Sequence, residues 1–554
     1  MLPSILLACL ALAAFAAAAP HAETAALLKA WEGIHGAAIA EHVRVLASDE
    51  FEGRAPGTRG EELSLAYIEA AFAKAGLVPG TPSGYAQPVP LVECALKDDS
   101  RFSVEVGGHR LAPEVKEGYV ARLARPAPEV DVRGSELVFA GYGAVAPEYG
   151  WDDYAGLDVR GKTVVLLRGD PGTATGDSTL FGGIAAMRHS MPDVKIREAA
   201  RRGARAAILI HTDASAGYPW TLLSGGGMGS SQFFLEPEAA EPEMDATVHV
   251  PEPFARELFH ATGLDFDAEV KAAAIRGFRA HALGARASVA LRSRVRRIES
   301  HNLIGLIPGR EAPDESVLLL AHWDHMGVNP SAPGDRIFNG AVDNATGVGT
   351  LIEIANAFHA LGERPRRTIV CVATTAEERG LLGSEYLARH PVRPLAKIAA
   401  VLAIDALFPF GAYDHMTVTG FGNSELDEVL AAAAARIGRT LQDDGAPQVG
   451  AFYRADQYPF VRRGVPGFQA VGTPDNAKSP ETDPQMKAVV GFGSAHYHKP
   501  DDQYDPATWD MAGIEGDARV MFEFAWNVAD DARFPNWRWS SPFRAVGDAL
   551  RRGP

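Results

Sequence analysis

The sequence predicts an α/β fold, a mostly parallel mixed sheet covered by helices on both faces and interrupted by a β-rich insert. Three observations carry this. From about 300 to about 535, short β-branched and leucine runs alternate with helical periodicities, the pattern of crossovers onto a parallel sheet. Three of these runs, at 316–322, 367–374 and 398–404, open directly into loops bearing acids or imidazoles. Between about 106 and 295 the pattern changes to shorter runs broken by Gly, Pro and Asp, the signature of strands and hairpins.

Taken in order, residues 1–20, M-L-P-S-I-L-L-A-C-L-A-L-A-A-F-A-A-A-A-P, are an apolar run closing on small residues and read as a signal peptide, bounded here at 1–22. The run has no Lys or Arg ahead of its core. The segment L-L-A-C at 6–9 is a weaker lipoprotein reading, because the apolar run continues past Cys9. The rest of the chain is therefore expected to be exported, to the periplasm or the extracellular space. No later stretch reaches the roughly 20 apolar residues that a membrane span requires.

Helical periodicity follows at 38–47 and 61–76, ending at Gly76 as a helix does at a C-terminal glycine. The Gly- and Pro-rich stretch between them, S-D-E-F-E-G-R-A-P-G-T-R-G, reads by itself as a plain connector. In the insert, strands are expected at 136–143, 161–172 and 204–211, with a helix at 194–203 and a Gly/Ser/Met-rich loop at 224–232. In the last part, strands are expected at 302–307, 316–322, 367–374, 398–404, 415–420 and 465–472. Helices are expected there at 346–361, 380–389, 424–438 and 508–529. The aromatic tail P-N-W-R-W-S-S-P-F (535–543) reads as surface packing.

Composition excludes several function classes. With 554 residues the chain holds two or more domains, and 47% hydrophobic with 22% charged residues is ordinary for a folded soluble protein. A net charge of −17 opposes nucleic acid or an anionic membrane as partner. Beyond the signal, only Cys94 and Cys371 remain. Cys371 lies in a predicted central strand and reads as a small buried hydrophobe.

The acidic loops concentrate the chemistry. S-V-L-L-L-A-H-W-D-H (316–325) ends in His322 and Asp324, two apart and so on one face of an extended chain. A carboxylate so placed can accept the spare N–H of a metal-bound imidazole. G-A-V-D-N-A-T-G-V-G (340–349) carries Asp343 among small residues, with Thr346 placed to cap a helix. R-T-I-V-C-V-A-T-T-A-E-E (367–378) ends in Glu377 and Glu378, and I-A-A-V-L-A-I-D (398–405) in Asp405. In open α/β sheets ligands bind beyond the carboxyl ends of the strands, where all these loops fall.

With His498 of H-Y-H-K-P-D-D (496–502), the candidate ligands are His322, Asp343, Glu378, Asp405 and His498. Two imidazoles and three carboxylates suit zinc, or manganese or cobalt in its place. Five ligands exceed one tetrahedral ion and suit two, with Asp343 bridging ions about 3.5–4 Å apart. Glu377, adjacent to Glu378, is the candidate general base. Any one of these acids alone reads better as a helix cap or solvated loop residue; the ordered set does not. His325 and His496 read as pocket residues rather than ligands.

The motifs H-W-D-H-M-G, G-A-V-D-N-A-T-G-V, A-E-E-R-G-L-L-G-S, A-I-D and Y-H-K-P-D-D resemble, in order, those of the di-zinc exopeptidases related to aminopeptidase S, aminopeptidase Y and glutamate carboxypeptidase, metallopeptidase family twenty-eight. The resemblance implies a zinc-exopeptidase sheet with two zinc ions. One is held by His322 and Asp405 and the other by Glu378 and His498, with Asp343 shared, Glu377 as base and Asp324 behind the site. It further implies Tyr497 as oxyanion donor, Arg454 of Y-R-A-D-Q-Y-P-F near the substrate carbonyl, and a cis peptide after Asp343. Gln457 departs from the histidine that many members carry.

By the same resemblance, 46–62 is similar to the family's N-terminal segment, and 106–295 to its protease-associated insert. The implied division is 23–105 and 296–554 for the catalytic domain. The expected activity is aminopeptidase action on peptides with a free N-terminus. The alternatives are a carboxypeptidase or dipeptidase, which needs a cationic cluster for a substrate carboxylate and has Arg454 and Arg379 as candidates, or a catalytically silent binding protein, which predicts substituted ligands.

Overall fold

The computed structural model describes residues 25–553, apart from 184, 186, 225–230, 238–243 and 333. The signal-peptide segment with Cys9, and most of the 224–232 loop, lie outside the described residues. Among the described residues no helix is long and apolar enough to cross a membrane.

Four parallel strands form the middle of the main sheet, in the order Gly467–Thr473, Ile398–Ala403, Ala312–His322 and Arg367–Thr374. Antiparallel strands extend both edges. His415–Thr419 joins Gly467–Thr473 on one side. On the other, His281–Ile307, Ala86–Leu96 and Ser231–Leu235 follow in turn. The sheet is thus mixed, with the parallel part where strand–helix alternation predicts it.

Alternate side chains of each central strand face opposite helical layers, as the pleat dictates. Val317, Leu319, Ala321, Ile369, Cys371 and Ala373 pack toward Gly36–Leu46, Thr346–Leu361 and Ala512–Asp530. Leu318, Leu320, Val370 and Val372 pack toward Leu387, Phe460 and Val465 on the other face. Both sides being covered explains why these strands read as continuous apolar runs. Burial pushes the Cys371 thiol up to about 12, in keeping with its reading as a core hydrophobe.

The strand His281–Ile307 is continuous and belongs to two sheets. Its first part pairs with Arg101–Val106 and Glu129–Phe139, and its second with Ala86–Leu96 and Arg367–Thr374. The strand therefore runs across position 295/296, and begins well before the expected 302. The second sheet adds Thr163–Leu167, Ala206–His211 and Ala246–Pro251 as parallel neighbours around a separate apolar core.

Three local readings are corrected. Ser231–Leu235 is a strand pairing with Ala86–Leu96, where the end of a loop is expected. Thr346 does not cap the helix it begins: its hydroxyl donates to the Val342 carbonyl, and Asn344 Oδ1 accepts the Gly347 N–H at 3.0 Å instead. In the tail, Trp537 is fully buried with its indole N–H on the Gly464 carbonyl, whereas Trp539 is 83% exposed.

Candidate metal centre

Parallel register brings the acidic loops together. His322 pairs with Thr374 and Leu320 with Ala403, so the three central strands end level, with Glu377, Glu378 and Asp405 just beyond. Asp343 arrives from Ala341–Ala345, the turn that precedes the helix Thr346–Leu361, and the Asp343–Asn344 peptide is cis as expected. Its loop is held by Asp502, whose carboxylate accepts the N–H groups of Val342 and Asp343 at 2.9 and 3.0 Å. His498 comes from the loop after the helix Pro484–Ala495, at positive φ. Ala376 and Ala406, also at positive φ, flank the acid pair and Asp405. Left-handed backbone at non-glycine residues costs energy and tends to collect where function requires it.

The five candidate ligands converge. His322 Nε2 lies 3.3 Å from Asp343 Oδ1 and 3.2 Å from Asp405 Oδ1. His498 Nε2 lies 3.1 Å from Asp343 Oδ2 and 3.1 Å from Glu378 Oε2. Each oxygen of Asp343 thus faces a different set. His325 also belongs here: its Nδ1 is 2.7 Å from Glu378 Oε1, and it forms a possible three-donor group with Asp343 and Glu378. His496 stays apart, exposed, with Nδ1 at 2.8 Å from the Asp501 carbonyl.

These contacts fit a cation better than a proton. Both nitrogens of His325, Glu378 Oε1 and His498 Nε2 are buried without a hydrogen-bond partner, although they stand beside each other. Ligands of a tetrahedral zinc, about 2.0–2.1 Å from the ion, lie about 3.4 Å from one another, close to the separations seen. The donor set is nitrogen and carboxylate oxygen throughout.

The neighbouring carboxylates repel. Burial pushes Glu377 well above the ordinary carboxylate range; His322 opposes this, while the charges of Glu378, Asp405 and Asp456 add to it. Asp324 is raised to about 7, chiefly by burial. Against the same effect of burial, His322 and His498 hold Asp343 well below its usual range.

Asp324 sits beneath the cluster, but not in the expected arrangement. His322 Nδ1 is 3.0 Å from the backbone carbonyl of Asp324, while the carboxylate is 3.9 Å away and accepts the Glu377 N–H at 3.0 Å. Between the two, the Trp323 indole is anchored on the His301 carbonyl at 3.0 Å. Tyr497 stacks on His498 with ring centres 3.8 Å apart. Arg454 lies 5.8 Å from the centre of the Tyr218 ring, on which Arg168 also rests at 5.3 Å. Gln457 is buried and donates to the Phe452 carbonyl. Arg379 reaches the Met326 carbonyl at 3.2 Å.

A mixed sheet with helices on both faces, and converging His, Asp and Glu donors beyond its strand ends, defines the metallo-exopeptidase class. Residues 302–522 match the model of Peptidase family M28. Over 116 residues the chain is 34% identical to a probable zinc metalloprotease of Pyrenophora tritici-repentis, covering 21% of this chain and 26% of that protein. Over 140 residues it is 34% identical to a probable glutamate carboxypeptidase of Arabidopsis thaliana, covering 24% of this chain and 18% of that one. The chain thus spans about a quarter or less of these curated relatives. The aminopeptidase from Aneurinibacillus sp. strain AM-1 shares the fold, with a TM-score of 0.53 at 17% identity over 92% of this chain and 97% of that one.

Proposed function

We propose that the protein is an exported zinc-dependent aminopeptidase that removes N-terminal residues from peptides. The observation that carries this is the split of Asp343, with one oxygen toward His322 and Asp405 and the other toward His498 and Glu378. On this reading His322, Asp405 and Asp343 hold one zinc, and Glu378, His498 and Asp343 the other, with His325 beside Glu378. Bound there, the two ions supply Lewis acidity toward the scissile carbonyl and lower the pKa of water. Glu377 takes the proton of the attacking water and returns it to the leaving amine. Asp324 orients Glu377 through the backbone N–H. Tyr497 and Arg454 are read as the groups that stabilise the carbonyl oxygen as it gains charge. The carboxylates also favour a free α-amine.

The segment 106–295 is read as a protease-associated insert restricting access, supported by Tyr218 lying against Arg454. Export is supported by the apolar N-terminal run.

One observation favours a carboxypeptidase or dipeptidase as second reading. Arg168 and Arg454 share the Tyr218 ring, and Arg168 donates to its hydroxyl at 3.2 Å, a cationic pair suited to a substrate carboxylate. Hydrolysis of aminoacyl, N-blocked and C-terminally amidated peptides, with and without chelator, decides. Free-amine substrates should be cleaved whether or not their C-terminus is amidated, and chelator should abolish cleavage. Cleavage of blocked peptides but not free-amine ones overturns the aminopeptidase reading, and a requirement for a free C-terminal carboxylate selects the second.

A further inference from the structure

The loop 48–60, which reads in sequence as a connector, contains the most deeply buried guanidinium near the candidate site. Arg54 is 1% exposed. Its Nε donates to the Trp323 carbonyl at 2.9 Å, Nη1 to the carbonyls of Leu46 at 2.7 Å and Asn339 at 2.5 Å, and Nη2 to that of Gly340 at 2.8 Å. No carboxylate hydrogen-bonds it among the described residues. Its own carbonyl accepts the His325 N–H at 3.3 Å.

Three of these partners, all but Leu46 at the end of the helix Gly36–Leu46, are the backbone of two loops that supply candidate donors. Trp323 lies between His322 and Asp324, and Asn339 and Gly340 lead into Asp343. One planar fork therefore ties the loop of His322 and His325 to the loop of Asp343. Burying a charge on four neutral carbonyls is costly unless every donor is satisfied.

The backbone adds a second cost. Glu52, Gly53 and Arg54 are consecutive at φ 48°, 65° and 52°, and a Cβ on Gly53 would stand 2.5 Å from the Phe338 carbonyl and 2.6 Å from that of Gly327. A plain connector needs neither a left-handed run nor a buried charge. The loop is pressed against the two segments it braces.

We propose that Arg54 is a positioning residue that sets the separation of the two donor loops and thereby the affinity of the centre for zinc. The proposal rests on the metal reading above. Charge and geometry make opposite predictions here. Arg54 lies within the field of Asp502, Asp343, Asp324 and Glu378, so removing a mere positive charge would tighten cation binding. Losing the fork would loosen it.

The test is zinc affinity of the full chain by chelator competition, with folding checked by circular dichroism, for wild type, Arg54→Lys, Arg54→Met and the distant buried-pair variant Glu385→Gln. Both Arg54 variants are expected to bind zinc about 10–100-fold more weakly, the usual cost of losing a group that orients ligands, while Glu385→Gln keeps wild-type affinity. Lysine keeps the charge but cannot span four carbonyls. Wild-type affinity in either folded Arg54 variant, tighter binding in Arg54→Met, or equal weakening in Glu385→Gln overturns the proposal. So does failure of Arg54→Lys to fold, which would make the residue a structural part alone. If wild type itself binds no zinc, the metal reading falls instead.

Discussion

Glu385 and Asp343 are both buried carboxylates of the same helix-covered sheet, and their surroundings differ in kind. Glu385 is met by Arg389 at 2.7 Å, by Arg463 at 2.7 Å and by Arg462. Burial works against its ionisation, but these guanidinium groups hold its carboxyl down to about 2. Around Asp343 the direct partners are imidazoles, which hold Asp343 and Glu378 below the usual carboxylate range against the effect of burial, while burial pushes Asp324 up to about 7 and Asp502 to about 6 and raises Glu377 and Asp405 as well. One pocket balances its charge from within. The other gathers more negative charge than its protein cations meet directly, so its balance calls for ions from outside. Buried charge alone does not mark a functional site; unbalanced and converging charge does.

The largest expected effect tests that division of roles. Glu377→Ala should keep both metals and lose about 10²–10⁴-fold or more in kcat. Asp343→Ala should lose metal itself, and Glu385→Gln should change neither metal content nor kcat. Metal analysis beside steady-state kinetics reads all three. Equal metal loss in Glu377→Ala and Asp343→Ala would mean the base is misassigned, and metal loss in Glu385→Gln would dissolve the contrast between the pockets.

How far this was legible from sequence follows the same line. The candidate donors are legible as an ordered set: parallel register brings His322, Glu378 and Asp405 together at consecutive strand ends, and Asp343 and His498 stand in loops marked by their motifs. The helix at 346–361 coincides with Thr346–Leu361 because its apolar period is unbroken. Arg54 was hidden: a Gly- and Pro-rich loop carries no periodicity, so nothing local tells a buried arginine from a solvated one. The strand His281–Ile307 was cut short because the exposed Arg292, Arg294, Arg296 and Arg297 break the apolar alternation, and only its pairing on both edges shows that the strand continues through them. Such partners are tertiary facts, absent from any window of sequence.

A smaller effect separates the pockets by pH. The folded pKa of Glu385 is depressed below its ordinary 4.5. Its contribution is therefore present above pH 4.5 and lost as pH falls through about 2. A shift of this size corresponds to about 3 kcal/mol. Urea unfolding of metal-free wild type and Glu385→Gln should differ by about that amount at pH 7, with the gap closing on acidification below pH 4.5. A gap that persists unchanged at the lowest pH where both remain folded would mean the carboxylate charge is not what stabilises this pocket.

The smallest expected effect is the coupling between them. Zinc at 100 times its dissociation constant should raise the unfolding free energy of wild type by about 2.7 kcal/mol for each ion bound, because only the folded chain assembles the donors. The two pockets share no hydrogen-bond partner among the described residues, and sites of that kind add to within about 0.5 kcal/mol. Zinc should therefore stabilise Glu385→Gln by the same increment as wild type, measured by urea titration with and without metal at pH 7. The nearest link between them is Ser384, which follows the Glu378 loop, precedes Glu385 and donates to Asp456 at 2.5 Å. An increment in the variant smaller by more than about 1 kcal/mol would show that this helix start transmits strain to the donors. The arginine pocket would then be part of the metal site's frame rather than an independent brace.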